Sequence, residues 1–171
     1  MTISLTSPSF VSDTPIPKRH TGDGEDLSPP LNWNNVLEGT KEFALICDDP
    51  DAPTPLPWIH WLLYKIPAEL RSLPEGIEPK PVLDSPAGML QGHNSWTSGS
   101  QFGYRGPAPP KGHDTHHYRF RIFALDVHLD LPPQADRRML AAAIEGHVIS
   151  QGELVGTYER WREGARASEV A

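Results

Sequence analysis

Nineteen prolines are scattered through the 171 residues of this chain, and they fall in loops between apolar runs rather than in one tract. Proline fixes φ and removes a backbone donor, so it is tolerated in turns and at strand edges and breaks helix and sheet interiors. The expectation is a loop-rich β protein with stiffened connections. The expected strands are Ile3 to Leu5, Phe43 to Cys47, Ile59 to Ile66, Met89 to Gln91, Tyr118 to Val127 and Glu153 to Tyr158. In the fifth, Tyr118, Phe120, Ile122 and Ala124 share one face, while Arg119 and Arg121 begin the other. His116 has the parity of Tyr118 and is expected on the same side. One segment reads as a helix. Asp136 caps it, and Met139, Leu140, Ala143, Ile144 and Val148 recur at helical spacing, with Gly146 weakening the helix without ending it.

The length fits a single domain spanning 1–171, with no linker or internal repeat. Fifteen Lys and Arg against 22 Asp and Glu give a net charge of −7, which repels nucleic acid and anionic bilayers at long range. Neither is an expected partner. The single cysteine, Cys47, excludes an intrachain disulfide and reads as a small buried hydrophobe. No secretory signal opens the chain and no apolar stretch reaches transmembrane length, so a cytoplasmic protein without stable membrane association is expected. Phosphate-loop, dinucleotide and nucleophile-elbow motifs are missing from the sequence, so no cofactor is expected. Ser95 and Ser98 lie in a Gly/Ser/Thr-rich loop and read as turn formers.

Two short segments carry the chemistry. Asp49-Pro50-Asp51-Ala52-Pro53 precedes His60-Trp61, and Gly106-Pro107-Ala108-Pro109-Pro110 leads into His116-His117-Tyr118. The apolar runs on either side of the first segment form a hairpin-like return, which brings Asp49 and His60 to one sheet rim. A carboxylate beside two imidazoles accepts a ring N–H and sets which nitrogen faces a ligand, the role expected for Asp49. His60 and His116 would then present N–H donors to an anionic oxygen, with Tyr118 closing a wall and offering a hydroxyl. Gly106 would let a ligand approach backbone amides. Asp51 reads as a turn residue bonding its own backbone, and Trp61 and Tyr64 read as core aromatics. His113 and His117 are expected in solvent rather than on a metal, because His116 and His117 face opposite sides of a strand.

These segments, with Gly103-Tyr104-Arg105 before the second and Asp23-Gly24-Glu25-Asp26-Leu27-Ser28-Pro29-Pro30-Leu31 and Leu154-Val155-Gly156-Thr157-Tyr158 outside the site, resemble the phosphatidylethanolamine-binding protein family, in its compact bacterial and archaeal branch. The family includes Raf kinase inhibitor protein and plant flowering regulators. The resemblance implies a mainly β fold: a Greek-key β-sandwich with a large antiparallel sheet and one or two C-terminal helices. It also implies a small pocket for phosphate-like and carboxylate anions, including the phosphoethanolamine headgroup. Asp49, Ala52, Pro53, His60, Gly106, Pro109, His116 and Tyr118 match the family's ligand-binding positions. The leading expectation is a non-catalytic binding protein. The alternative is an inhibitor or scaffold acting on a kinase or serine protease through a protein interface, followed by a hydrolase or lyase using His60 and His116 as acid and base. A homodimer, frequent in that branch, would use some of the aromatic surface of Trp33, Trp58, Trp61, Trp96 and Trp161.

Overall fold

The computed structural model describes residues 2–85 and 87–160. Seven strands form a mixed sheet in the order β2-β10-β9-β4-β5-β8-β7. These are β2 (Thr14–Pro15), β4 (Glu42–Asp49), β5 (Trp58–Pro67), β7 (Val82–Asp84), β8 (Ala87–Gln91), β9 (His116–Leu125) and β10 (Val148–Tyr158). A smaller sheet of β1 (Ser4–Thr6), β3 (Leu31–Asn34) and β6 (Ser72–Leu73) has the order β1-β3-β6. The large sheet departs from the antiparallel expectation at one edge, where two-residue β2 pairs parallel to β10. Its centre is antiparallel, with β4 between β5 and β9.

Strand parity explains the layers. Phe43, Leu45 and Cys47 of β4, and Tyr118, Phe120, Ile122 and Ala124 of β9, meet Leu5, Leu31, Trp33 and Leu73 of the small sheet in one core. Side chains of opposite parity, among them Ala44, Leu62, Tyr64, Phe123 and Leu125, form a second core on the other face. The helix α1 (Arg137–Ile144) closes that second core with Leu140 and Ile144. Asp136 caps it as expected, its side chain accepting the Met139 amide at 2.9 Å. It stops at Ile144, however. Gly146 adopts φ +79°, a left-handed turn that redirects the chain, and Val148 opens β10 instead of extending the helix.

The pairing of β4 with β5 contains two irregularities. Between Cys47 and Asp48 of β4 the register slips, pairing Cys47 with Trp61 and Asp48 with Ile59. His60 is therefore an extra residue, a β-bulge. A second slip on β5 accompanies Lys65 at φ 55°. Among the described residues no helix is long and apolar enough to cross a membrane.

Candidate functional site

The bulge re-aims His60. In a regular strand it would share a face with Leu62, which packs in the helix-side core. Instead its ring lies edge-on to Tyr118 at 5.1 Å and to Trp96 at 5.1 Å, on the inter-sheet side with Trp61. The backbone freed from the ladder finds another partner. Arg105 donates its amide to the His60 carbonyl at 3.0 Å, and the His60 ring Nδ1 donates back to the Arg105 carbonyl at 2.5 Å. The Arg105 guanidinium covers the Trp96 ring at 4.6 Å and donates to the Ser98 carbonyl at 2.7 Å, fixing that wall.

Asp49 and His116 complete the floor. Asp49 continues the Phe43, Leu45, Cys47 face, and His116 continues the Tyr118 face, so the same alternation that builds the core delivers both to its open end. The His116 Nδ1–H donates to Asp49 Oδ2 at 2.7 Å, with both residues 3% exposed. The other Asp49 oxygen accepts the Asp51 amide at 2.8 Å, an Asx turn that locks the loop after β4. Asp49 thus orients His116, while a backbone carbonyl orients His60. The turn role expected of Asp51 belongs to Asp49. Asp51 instead accepts from the His117 amide at 2.7 Å and from its ring at 2.8 Å, outside the cavity. Burial raises the Asp51 carboxyl, but the His117 hydrogen bonds outweigh it and the net shift is downward. His113 and His117 are both exposed.

Around this floor lies a cavity of about 210 Å³, lined by Asp49, Ala52, Pro53, His60, Pro109, His116 and Tyr118, together with Thr54, Trp58, Trp96, Ala108 and Pro110. Seven of the eight expected residues converge here. Gly106 does not. Its amide donates to Asp26 Oδ1 at 2.7 Å, and a Cβ at this position would sit 2.1 Å from the His20 carbonyl oxygen. Glycine is required there by close packing, and its N–H is already used. Asp26 holds the proline loop from behind, as does Gly22, which donates to the Pro107 carbonyl at 2.8 Å. The Asp23-to-Asp26 segment is therefore scaffolding for the cavity wall. Tyr118 closes a wall as expected, but its hydroxyl is enclosed and has no partner among the described residues.

Trp58, Trp96, Thr54, Ala108 and Pro110 were not anticipated as lining residues. Trp58 and Trp96 pack edge-on at 5.5 Å; the available signal was an aromatic inside a Gly/Ser/Thr-rich loop. Trp33 and Trp61 are core residues and Trp58 and Trp96 line the cavity, which accounts for the aromatic surface of these four. Trp161 lies outside the described residues.

Electrostatics separates the two imidazoles. Burial pushes the His60 ring down to about 4, against the raising influence of the Arg105 carbonyl and of Asp49 and Asp48. His60 is neutral near pH 7, and with its proton on Nδ1 it turns a bare Nε2 lone pair outward. That reverses the expected donor role. Burial also raises the Tyr118 phenol, which keeps its proton, and the Cys47 thiol. Among the described residues no lysine or arginine lines the cavity.

The strand ends of this β-sandwich gather a buried carboxylate and two histidines under a proline loop. The chain belongs to the phosphatidylethanolamine-binding protein family, whose model matches residues 6–159. A UPF0098 protein of Methanothermobacter thermautotrophicus is 44% identical over 158 residues, covering 92% of this chain and 99% of the relative. The crystal structure of Escherichia coli YbcL, described as a member of the mammalian family, superposes with a TM-score of 0.83 at 31% identity, covering 93% and 99% of the two chains. A Mycobacterium tuberculosis relative, LppC, bears a lipoprotein name and is 40% identical over 157 residues, covering 92% of this chain and 72% of its own.

Proposed function

We propose that this protein is a non-catalytic binding module that holds a small phosphate-like or carboxylate group between His60 and His116. The observation that carries this reading is the buried Asp49–His116 pair beside an independently oriented His60, at the floor of a cavity otherwise walled by tryptophan, proline, alanine, Tyr118 and Thr54. A carboxylate on Nδ1 balances the charge of an imidazolium, so a protonated His116 offers an Nε2–H donor to an oxyanion without leaving an unpaired buried cation. Apolar walls suit the organic remainder of such a ligand. Catalysis finds little support in the nucleophiles nearby: Ser95 Oγ accepts the Ile59 amide at 2.8 Å, and the Cys47 thiol is buried and held protonated.

Calorimetric titration with acetate tests the reading, because acetate remains a monoanion across pH 5.5 to 8.5 and any pH dependence belongs to the protein. Weak saturable binding is expected, lost in His116→Ala. Absence of binding by acetate and phosphate alike throughout that range would defeat it. Affinity should be modest, since a small anion makes few contacts and gives up its own hydration.

A further inference from the structure

One peptide group behind the cavity wall is bonded at both ends. The carbonyl of Arg105 accepts the His60 Nδ1–H at 2.5 Å, and the amide on the other side of the same peptide bond, that of Gly106, donates to Asp26 Oδ1 at 2.7 Å. Resonance links the two ends. A carboxylate drawing on the N–H shifts electron density toward the carbonyl oxygen and strengthens it as an acceptor for the ring. The peptide has little freedom to turn. Tyr104 donates its hydroxyl to the His20 carbonyl at 2.5 Å, Arg105 donates its amide to the His60 carbonyl at 3.0 Å, and a Cβ on Gly106 would meet the His20 oxygen at 2.1 Å and Asp26 Oδ1 at 2.8 Å. Asp26 itself sits at φ 60°, a left-handed conformation that Asp and Asn tolerate better than other side chains. Burial raises its carboxyl, and the Gly106 amide and the Arg105 guanidinium restrain that rise. The two imidazoles of the site thus have a carboxylate each. Asp49 touches His116 directly, and Asp26 reaches His60 through one peptide group.

Resting on the anion reading above, we propose that Asp26 is a positioning residue for the binding site. From outside the cavity lining it fixes the His60 ring, and with it the nitrogen turned toward a ligand, through the Arg105–Gly106 peptide. A change at Asp26 is then felt at His60 and not at His116.

NMR of the histidine ring nitrogens and their protons, on the full chain near pH 7, tests this without any ligand, with His60→Gln assigning the His60 signals. In the wild type His60 should carry its proton on Nδ1, as a downfield and slowly exchanging signal. Glycine suits the Asp26 backbone, so Asp26→Gly removes the carboxyl without forcing a side chain into the left-handed region. There the His60 ring proton should move upfield and exchange about tenfold or more faster, the scale of one charge-assisted hydrogen bond. Asp26→Asn keeps a neutral acceptor, and it should retain the Nδ1 proton with a smaller upfield shift. The His116 ring proton, held by Asp49, should keep its position in both variants. An unmoved His60 signal in folded Asp26→Gly would overturn the proposal, as would equal shifts at His60 and His116, which mark general loosening. If Asp26→Gly does not fold, an unmoved signal in Asp26→Asn overturns it alone. Absence of acetate binding to the wild type would defeat the anion reading, by a readout separate from the ring proton.

Discussion

Asp48 and Asp49 are adjacent in the chain and equally hidden, at 2% and 3% exposure, yet they serve opposite faces of β4. Asp48 receives two hydrogen bonds from Arg119, at 2.8 and 2.9 Å, and one from Arg121 at 3.0 Å. Its charge is fully paired by permanent cations, which makes it a cross-strand clamp. Asp49 has a single imidazole as its side-chain partner, and it lines an open cavity. A buried carboxylate given arginine holds a sheet together; one given only an imidazole at a cavity floor fixes the orientation of that ring.

The largest expected effect concerns the neutral histidine of the cavity. The His60 pKa is depressed to about 4 in the fold, so the unfolded chain binds more protons, and its stabilising contribution is complete above about pH 6.5 and lost as pH falls through 4. That single group should remove about 3 kcal/mol over this window, by the 1.36 kcal/mol of each pKa unit. Urea titrations at stepped pH should show this slope in the wild type and one proton less of it in His60→Gln. An identical slope in both would mean that His60 titrates normally.

Next comes the clamp. Asp48→Ala leaves two partly exposed arginines without their carboxylate and should cost about 2–3 kcal/mol of unfolding free energy, below a fully buried pair because water reaches both guanidinium groups. Acetate affinity of the folded variant should stay within about twofold. If affinity collapses while stability holds, the roles of the two aspartates are reversed.

Asp49→Asn should do the opposite, weakening acetate binding about tenfold as the His116 Nδ1–H loses its carboxylate acceptor, with a smaller loss of stability. The smallest effect belongs to His117→Ala. It removes an exposed pair with Asp51, 52% and 41% accessible, and should shift stability by less than about 1 kcal/mol and leave binding unchanged. Equal binding losses from His116→Ala and His117→Ala would reverse the assignment of faces on β9.

Alternation along β4 and β9 was legible in the residues, and it placed Asp49 and His116 correctly because neither strand is interrupted before the rim. His60 was found by its motif, but its orientation depends on a bulge, set by pairing with β4 rather than by its neighbours in sequence. Its proton assignment depends on Arg105, 45 residues away. Gly106 looked like ligand-facing backbone because a glycine between loop residues reads the same whether it admits a ligand or the His20 carbonyl. Strands β2, β3, β6 and β7 run only two to four residues, too short for alternation to register. The helix end was missed because helical spacing continued through Val148, whereas the left-handed turn at Gly146 broke the geometry.

A crystal structure of the protein grown in phosphate tests the central claim most directly. One phosphate should lie between His60 and His116, with oxygens within hydrogen-bonding distance of both Nε2 atoms and the Asp49–His116 bond intact. An empty cavity with phosphate bound instead in the more polar hollow beside Lys111 and Arg160 would contradict the account.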